Sequence, residues 1–257
     1  MRTDLHCHVL AGIDDGPETI ESSLALARAA AQNGTARIVA TPHVNSRYPN
    51  KAGMIAQLAG ELNARLTAEG IPVEVLPGAE IAVTRVAELD PGELHELTLG
   101  SSPWLLIEPP FTPTMIGLDA IVLDLMRQGH RIVLAHPERC PALHREPRMV
   151  SSLVRSGALC SVTASSFTGR FGEQVRRFAM RLLDEELVHN VASDAHDVRG
   201  RPPQLASELV RAGLGELSEW LTQSVPDAIL AGTEIPPQPA FERTQRRGLL
   251  ARLRREG

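Results

Sequence analysis

The chain has 257 residues, of which 43% are hydrophobic and 22% are charged, and its formal net charge is −5. No apolar run approaches the roughly 20 residues of a membrane-spanning helix, and the acidic balance excludes the broad basic surface of a typical nucleic-acid-binding protein. The length suits one large domain, such as a barrel of alternating strands and helices. Three scattered cysteines and the lack of a signal-peptide pattern predict a cytoplasmic protein.

Short apolar segments alternate with helical patterns, which predicts parallel strands joined by crossover helices. The predicted strands are Thr3–Leu5, 37–41, 73–76, 104–108, 131–135, 159–163 and 187–193. The first helix is predicted over 19–34, with Thr19 as its N-cap and Gly34 at its end, and others over 55–69, 114–128, 170–186 and 203–213. Seven strands are close to the number that a barrel needs, so residues 1–232 are expected to form one α/β barrel domain. Residues 233–257 are expected to be a Pro-rich linker and a basic tail.

Side chains of metal-ligand type stand at one end of six of the seven predicted strands. In chain order they are His6, His8, His43, Glu80, Glu108, His136, Asp194 and His196, and the carboxylate pair Asp14 and Asp15 follows the first strand. Parallel strands end on one face of a barrel, and residues i and i+2 of a strand point to the same side, so these groups are expected to converge. Any one of them alone would be read as a hydrogen-bonded histidine or a solvated carboxylate. Their joint pattern exceeds the needs of one tetrahedral ion and predicts two or three divalent ions, with Mn, Fe, Zn and Co all suitable. Clustered ions of this kind suit the hydrolysis of phosphate esters.

The segments "DLHCHVLAGIDDG", "TPH", "GAEI", "HPER" and "SDAHDVRGRPP", in this order, resemble the polymerase-and-histidinol-phosphatase (PHP) superfamily. More narrowly, they resemble its bacterial tyrosine-protein phosphatases of capsule and exopolysaccharide operons. The resemblance runs from the first residues to about residue 230. It implies a distorted TIM-like (β/α)7 barrel that carries three divalent ions, most often Mn²⁺. It also implies hydrolysis of phosphotyrosine on a bacterial tyrosine kinase as partner, and through this the regulation of capsule or exopolysaccharide synthesis.

Carried onto this sequence, the resemblance implies three sets of metal ligands and two phosphate-binding arginines. The sets are His6, His8, Glu80 and Asp194; Glu80, Glu108 and His136; and Asp15, His43 and His196. The arginines are Arg139 of "HPER" and Arg201 of "GRPP". Both Asp14 and Asp15 can reach the site from a loop, so the choice between them stays open.

Three alternatives to a metal-dependent tyrosine phosphatase are weighed against it. A thiol phosphatase needs a cysteine separated from an arginine by five residues, and none of Cys7, Cys140 and Cys160 has that spacing. The second alternative is a PHP-type phosphoesterase that acts on a small phosphomonoester, such as histidinol phosphate, or on a phosphodiester. The sequence distinguishes this enzyme poorly from a tyrosine phosphatase. A non-catalytic scaffold of the exopolysaccharide assembly complex would not need a complete ligand set and both arginines.

The tail from Glu242 to Gly257 carries six arginines against two glutamates. This composition predicts either weak contact with an anionic membrane surface or an acidic partner, or a solvated terminus. No nucleic-acid partner is expected, and nothing in the sequence specifies an oligomeric state.

Overall fold

The computed structural model describes residues 1–114 and 117–241, so the basic tail and its predicted membrane contact lie outside the described residues. The strands are β1 (Arg2–Cys7), β2 (Thr35–Ala40), β3 (His43–Val44), β4 (Glu74–Pro77), β5 (Glu80–Ala82), β6 (Trp104–Glu108), β7 (Arg131–Ala135), β8 (Leu159–Thr163) and β9 (Asn190–Ala192). All of their ladders are parallel. One sheet has the order β1-β2-β4 and the other the order β3-β5-β6-β7-β8-β9. Each of the seven predicted strands is therefore confirmed as a strand.

The helices lie between the strands, as the alternating pattern predicts. They are α1 (Ile20–Gln32), α2 (Ala52–Ala68), α3 (Pro91–Glu96), α4 (Leu118–Arg127), α5 (Pro141–Arg145), α6 (Pro147–Arg155), α7 (Glu173–Asp184), α8 (Ala206–Arg211) and α9 (Val225–Ala231). Thr19 caps α1 by accepting a hydrogen bond from the Ser22 backbone N–H, as predicted. The sequence interpretation missed α3, α5, α6 and α9. Each of these has a proline in its first turn, where the missing N–H would have no partner within the helix.

The two short strands that were not predicted, β3 and β5, continue β2 and β4 after a break. Each break spans two residues, so Ala40 pairs with Pro77 before it and His43 pairs with Glu80 after it. At Gly78 the backbone lies so close to β2 that an added Cβ would be 2.7 Å from a methyl carbon of Val39. Glycine, which has no Cβ, permits this approach. The chain thus passes from the three-stranded into the six-stranded sheet at the same level after β2 and after β4. These crossings place His43 and Glu80 in the six-stranded sheet.

The expected closed barrel is confirmed only as a mixed α/β fold with parallel sheets, because the described residues form no closed sheet. The first and last strands do meet: Cys7 and Ala195 form one parallel bridge, and the His8 backbone N–H donates to the Ala195 carbonyl at 2.9 Å. The bridge does not extend into a ladder because Asp194 has a left-handed backbone, with φ of 52°, which turns the chain away from strand geometry.

The core is aliphatic, and most strand residues are buried on both faces of the sheets, as is usual for parallel strands covered by helices. No helix among residues 1–114 and 117–241 is both long enough and apolar enough to cross a membrane.

The described part of the predicted linker, 233–241, contains no helix or strand and lies against the domain. The Trp220 indole N–H donates to the Pro236 carbonyl at 3.0 Å, and Phe241 packs on the core. The domain boundary at residue 232 stays a prediction.

Candidate metal centre

The structure brings the nine predicted ligands together at the carboxyl ends of the strands. This ligand cluster consists of His6, His8, Asp15, His43, Glu80, Glu108, His136, Asp194 and His196. Their candidate ligand atoms form four overlapping groups, and the atoms within each group all lie within 4.8 Å of one another. Seven of the nine residues are buried, while His43 is partly exposed and Asp15 is 47% exposed. β8 is the one predicted strand that contributes no member to the cluster.

Glu80 lies at the centre of the cluster. Its Oε2 is 3.3 Å from Nε2 of His6 and 3.4 Å from Nε2 of His8. Asp194 Oδ1 is 3.4 Å from each of the same two nitrogens. Four side chains from β1, β5 and the end of β9 therefore face one common point.

The other carboxylate oxygen of Glu80 faces a second group. Glu80 Oε1 is 2.7 Å from His136 Nε2, and Glu108 Oε1 is 3.9 Å from the same nitrogen. Glu108 also faces His43, whose Nδ1 lies 3.9 Å from Glu108 Oε2. One glutamate thus joins the first group to the second, as a bridging carboxylate would.

Asp15 and Asp14 face different partners, although they are neighbours in the same loop. Asp15 Oδ1 is 3.4 Å from His43 Nε2 and 3.3 Å from His196 Nε2, which makes the third group. Asp14 instead contacts His8 Nδ1 at 2.7 Å and accepts hydrogen bonds from the backbone N–H groups of Gly16 and His43. This geometry favours Asp15 as the ligand and gives Asp14 the role of orienting His8.

Two members of the cluster have backbone conformations that side chains seldom adopt. His136 has φ of 30° and Asp194 has φ of 52°, and both directly follow or closely follow a strand. Such positions store strain and occur most often at functional sites.

Several carboxylates of the cluster are buried close together, and this shifts the pKa values of its members. Burial, followed by the charge of Glu80, raises the pKa of Glu108 to about 8. Burial alone would also raise the pKa of Glu80, but His6 and a hydrogen bond from His136 hold it well below its usual range. Burial, together with the charge of Arg139, lowers the pKa of His136 to about 4, so this imidazole is neutral and its nitrogen can bind a metal.

The residues fit a group of divalent ions. Glu80 Oε2 and His43 Nδ1 are both buried and only 2.9 Å apart, yet neither has a hydrogen-bond partner of acceptable geometry among the described residues. Buried polar atoms are rarely left in this state unless another group satisfies them. The donor set of imidazoles and carboxylates without thiolates suits Mn, Fe, Zn or Co.

The two predicted phosphate-binding arginines lie beside the cluster. Arg139 Nη2 is 2.6 Å from Asp194 Oδ2, and Arg201 pairs with the same oxygen. Arg201 Nη1 also lies 2.9 Å from His196 Nε2. Two guanidinium groups are thus brought together on one side of the ligands, where each retains an Nε without a protein partner among the described residues.

The sequence interpretation missed two buried carboxylates beside the cluster, Asp4 and Glu138, here named the bracing carboxylates. Asp4 accepts hydrogen bonds from the backbone N–H and the hydroxyl of Ser193, and it thereby ties β1 to the end of β9. Glu138 accepts from the Thr163 backbone N–H at 3.0 Å and the Ser166 hydroxyl at 2.7 Å. The signal for both was their position inside the "DLHCH" and "HPER" segments.

The three cysteines are buried and none forms a disulfide. Burial raises the pKa of all three thiols, most strongly those of Cys7 and Cys160. A buried thiol with a raised pKa is a poor nucleophile, so the geometry opposes a thiol mechanism.

Comparison with known proteins gives a consistent result. A family model described as "Capsular polysaccharide synthesis, CpsB/CapC" matches residues 2–218. The chain is 37% identical to the tyrosine-protein phosphatase YwqE of Bacillus subtilis over 247 residues, which are 93% of this chain and 97% of YwqE. It is 28% identical to the tyrosine-protein phosphatase CpsB of Streptococcus agalactiae, over 79% of this chain and 86% of CpsB. A crystal structure from work on YwqE and on CpsB of Streptococcus pneumoniae, described as metal-dependent tyrosine phosphatases, matches with a TM-score of 0.80 and 33% identity. That match covers 93% of this chain and all of the solved one.

Proposed function

The chain belongs to the CpsB/CapC family of capsular polysaccharide synthesis, and on that premise we propose that it is a metal-dependent protein-tyrosine phosphatase. The observation that carries the proposal is the convergence of nine ligand-type side chains in four overlapping groups, with two arginines beside them. The similarity of the chain to the tyrosine-protein phosphatases YwqE and CpsB supports the same proposal.

Three divalent ions are proposed, held by the three ligand sets that the family resemblance implies. His6, His8, Glu80 and Asp194 would hold one; Glu80, Glu108 and His136 a second; and Asp15, His43 and His196 a third. The four overlapping groups that these side chains form support the proposal. Among the ions that these donors suit, Mn, Fe, Zn and Co, Mn²⁺ is proposed because the family resemblance implies it. Bound ions of this kind supply Lewis-acid polarisation of the phosphoryl group and activation of water near neutral pH.

The chain's own residues position the substrate and neutralise its charge. Arg139 and Arg201 offer planar guanidinium groups that pair with phosphate oxygens in bidentate fashion, which stabilises the charge of the transition state. Asp194 pairs with both guanidinium groups and thereby holds them beside the ligand cluster. Asp14 orients His8, and the bracing carboxylates fix the strand ends that carry His6, Asp194 and Arg139.

The proposed substrate is phosphotyrosine on a bacterial tyrosine kinase of the capsule or exopolysaccharide pathway, and the proposed site of the reaction is the cytoplasm. The names of the relatives support a phosphotyrosine substrate, and three free, buried cysteines are compatible with a reducing compartment. The finer fold proposed for this activity is the distorted (β/α)7 barrel, with the contact between β1 and the end of β9 as its closing edge.

The deciding experiment compares three substrates on the full chain loaded with Mn²⁺: a phosphotyrosine peptide, the same peptide with phosphoserine, and histidinol phosphate. We expect kcat/KM to be highest for the phosphotyrosine peptide, to be abolished by a chelator and restored by Mn²⁺, and to be unchanged by thiol alkylation. A preference for histidinol phosphate would replace the proposal with a small-molecule phosphatase. Absence of turnover on all three at full metal occupancy would favour a scaffold.

A further inference from the structure

Phe111 is an exposed aromatic side chain next to the ligand cluster. It is 53% exposed, in a chain whose other exposed large apolar residues among the described ones are Met1, Met54, Val198 and Val210. Its ring lies over the imidazole of His136, with centroids 5.5 Å apart and an interplanar angle of 20°. About half of this aromatic side chain is solvent-exposed beside the candidate reaction site, so that exposed apolar surface can bind a ligand.

The loop that carries Phe111 is fixed on both sides of this residue. The Cys140 thiol donates to the Pro110 carbonyl at 3.3 Å, and Arg145 Nη1 donates to the Pro113 carbonyl at 3.3 Å. Both anchors lie in or next to α5, which directly follows the turn of Arg139. The backbone on both sides of Phe111 is therefore tied to the segment that follows the proposed phosphate-binding Arg139.

Arg139 is held between two aromatic rings. Its guanidinium carbon lies 5.5 Å from the centroid of Phe111 and 4.8 Å from that of Phe171. Contacts of this kind are attractive and restrict the plane of the guanidinium. Its Nη2 pairs with Asp194, whereas its Nε has no protein partner among the described residues and stays available for an anion. A phosphate bound by Arg139 therefore has the exposed ring of Phe111 beside it.

We propose that Phe111 packs against the aromatic ring of the substrate's phosphotyrosine and thereby selects aryl phosphates over alkyl phosphates. The inference rests on the proposed phosphatase function and adds a specificity-determining residue to it. Pairs of aromatic rings contribute about 0.5–1.5 kcal/mol beyond their buried area, which corresponds to about 2- to 12-fold in affinity. Phosphoserine and glycerol phosphate have no ring and cannot gain from this contact.

The test compares Phe111→Ala and Phe111→Trp with the wild type on a phosphotyrosine peptide and on glycerol phosphate. We expect Phe111→Ala to raise KM for the peptide about 10-fold, to leave glycerol phosphate turnover within about twofold, and to keep the metal content unchanged. Phe111→Trp restores the low KM because it keeps a flat aromatic surface. Val210→Ala, which removes an exposed apolar group that belongs to α8 instead of the site, serves as the matched control.

Two results would overturn the inference while the proposed function stands. An equal loss on both substrates means that Phe111 acts only by holding Arg139 and His136, and no loss on either means that its ring does not meet the substrate. The proposed function fails separately, if the wild-type chain with bound metal hydrolyses phosphotyrosine no better than glycerol phosphate.

Discussion

Two kinds of buried carboxylate occur at and just beyond the strand ends of this protein. The bracing carboxylates, Asp4 and Glu138, accept hydrogen bonds from backbone N–H groups and hydroxyls of the chain itself. Glu80 and Glu108, by contrast, face imidazoles. Burial of an acid therefore does not identify a metal ligand in this fold. The two kinds differ in their neighbours, which are backbone N–H groups and hydroxyls for the first and side chains of metal-ligand type for the second.

The largest expected effect comes from replacing the central ligand. Glu80→Gln removes the charge that faces His6, His8 and His136, so we expect loss of bound metal and a fall in kcat of about 10³-fold or more. Metal analysis and steady-state kinetics measure both. Glu74→Gln, an exposed glutamate at the start of β4, is the control that should change neither. Full metal content and activity in Glu80→Gln would remove Glu80 from the centre.

The next effect separates the arginines from the ligands. Arg139→Ala should lower kcat/KM on a phosphotyrosine peptide by about 10²- to 10³-fold, because a preorganised donor to the transition state is lost. The metal content should stay unchanged, since Arg139 contacts the ligand Asp194 without belonging to the ligand set. Arg155→Ala, at an exposed position in the last turn of α6, is the matched control. Unchanged turnover in Arg139→Ala would remove this residue from the mechanism.

A bracing carboxylate should tolerate the substitution that a ligand does not. Glu138→Gln keeps an oxygen that can accept from Thr163 and Ser166, so we expect metal content and kcat within about twofold of the wild type. Glu138→Ala leaves these two buried donors without a partner and should lower the free energy of unfolding by about 2 kcal/mol. Chemical denaturation measures this difference. A loss of metal in Glu138→Gln would mean that Glu138 is itself a ligand, and the comparison would fail.

The smallest effect has the opposite sign. In chelator-treated protein, Glu108→Gln replaces a carboxyl group whose pKa is raised to about 8 by burial and by the charge of Glu80, and the amide is neutral without taking up a proton. The variant should therefore raise Tm by about 5 °C at pH 8, where 1 kcal/mol corresponds to about 2–4 °C. The same variant should bind less metal.

The pH dependence of this stability follows from the raised pKa of Glu108. The folded chain holds the Glu108 proton up to about pH 8, whereas the unfolded chain releases it near pH 4.5. The free energy of unfolding of the chelated wild type therefore decreases as the pH rises from about 4.5 to about 8. Calorimetry of both proteins across this range checks the prediction. An identical pH profile in the variant would show that Glu108 carries no such strain.

Much of the fold could be predicted because apolar runs with helical patterns between them permit few parallel arrangements. The seven strands were predicted in this way, as was the capped helix that begins after Thr19. The breaks at Pro42 and Gly78 could not be predicted, because they depend on how closely β4 passes β2. Closure of the sheet was not settled by the pattern either, since one left-handed residue, Asp194, limits the pairing of β1 with the end of β9.

The sequence by itself determined which side chains could meet. Parallel strands end on one face, and alternate residues of a strand share a side, so His6, His43 and His136 had to point to the same place. Only the tertiary structure decided what each side chain does there. Asp15 faces two imidazoles while its neighbour Asp14 orients His8. Glu138 Oε1 accepts hydrogen bonds from a backbone N–H and a hydroxyl of the chain, whereas the nearest neighbours of Glu80 are imidazoles. The physical reason is that strand periodicity fixes directions within one element, whereas donors and acceptors are matched by the paths of loops that are distant in sequence.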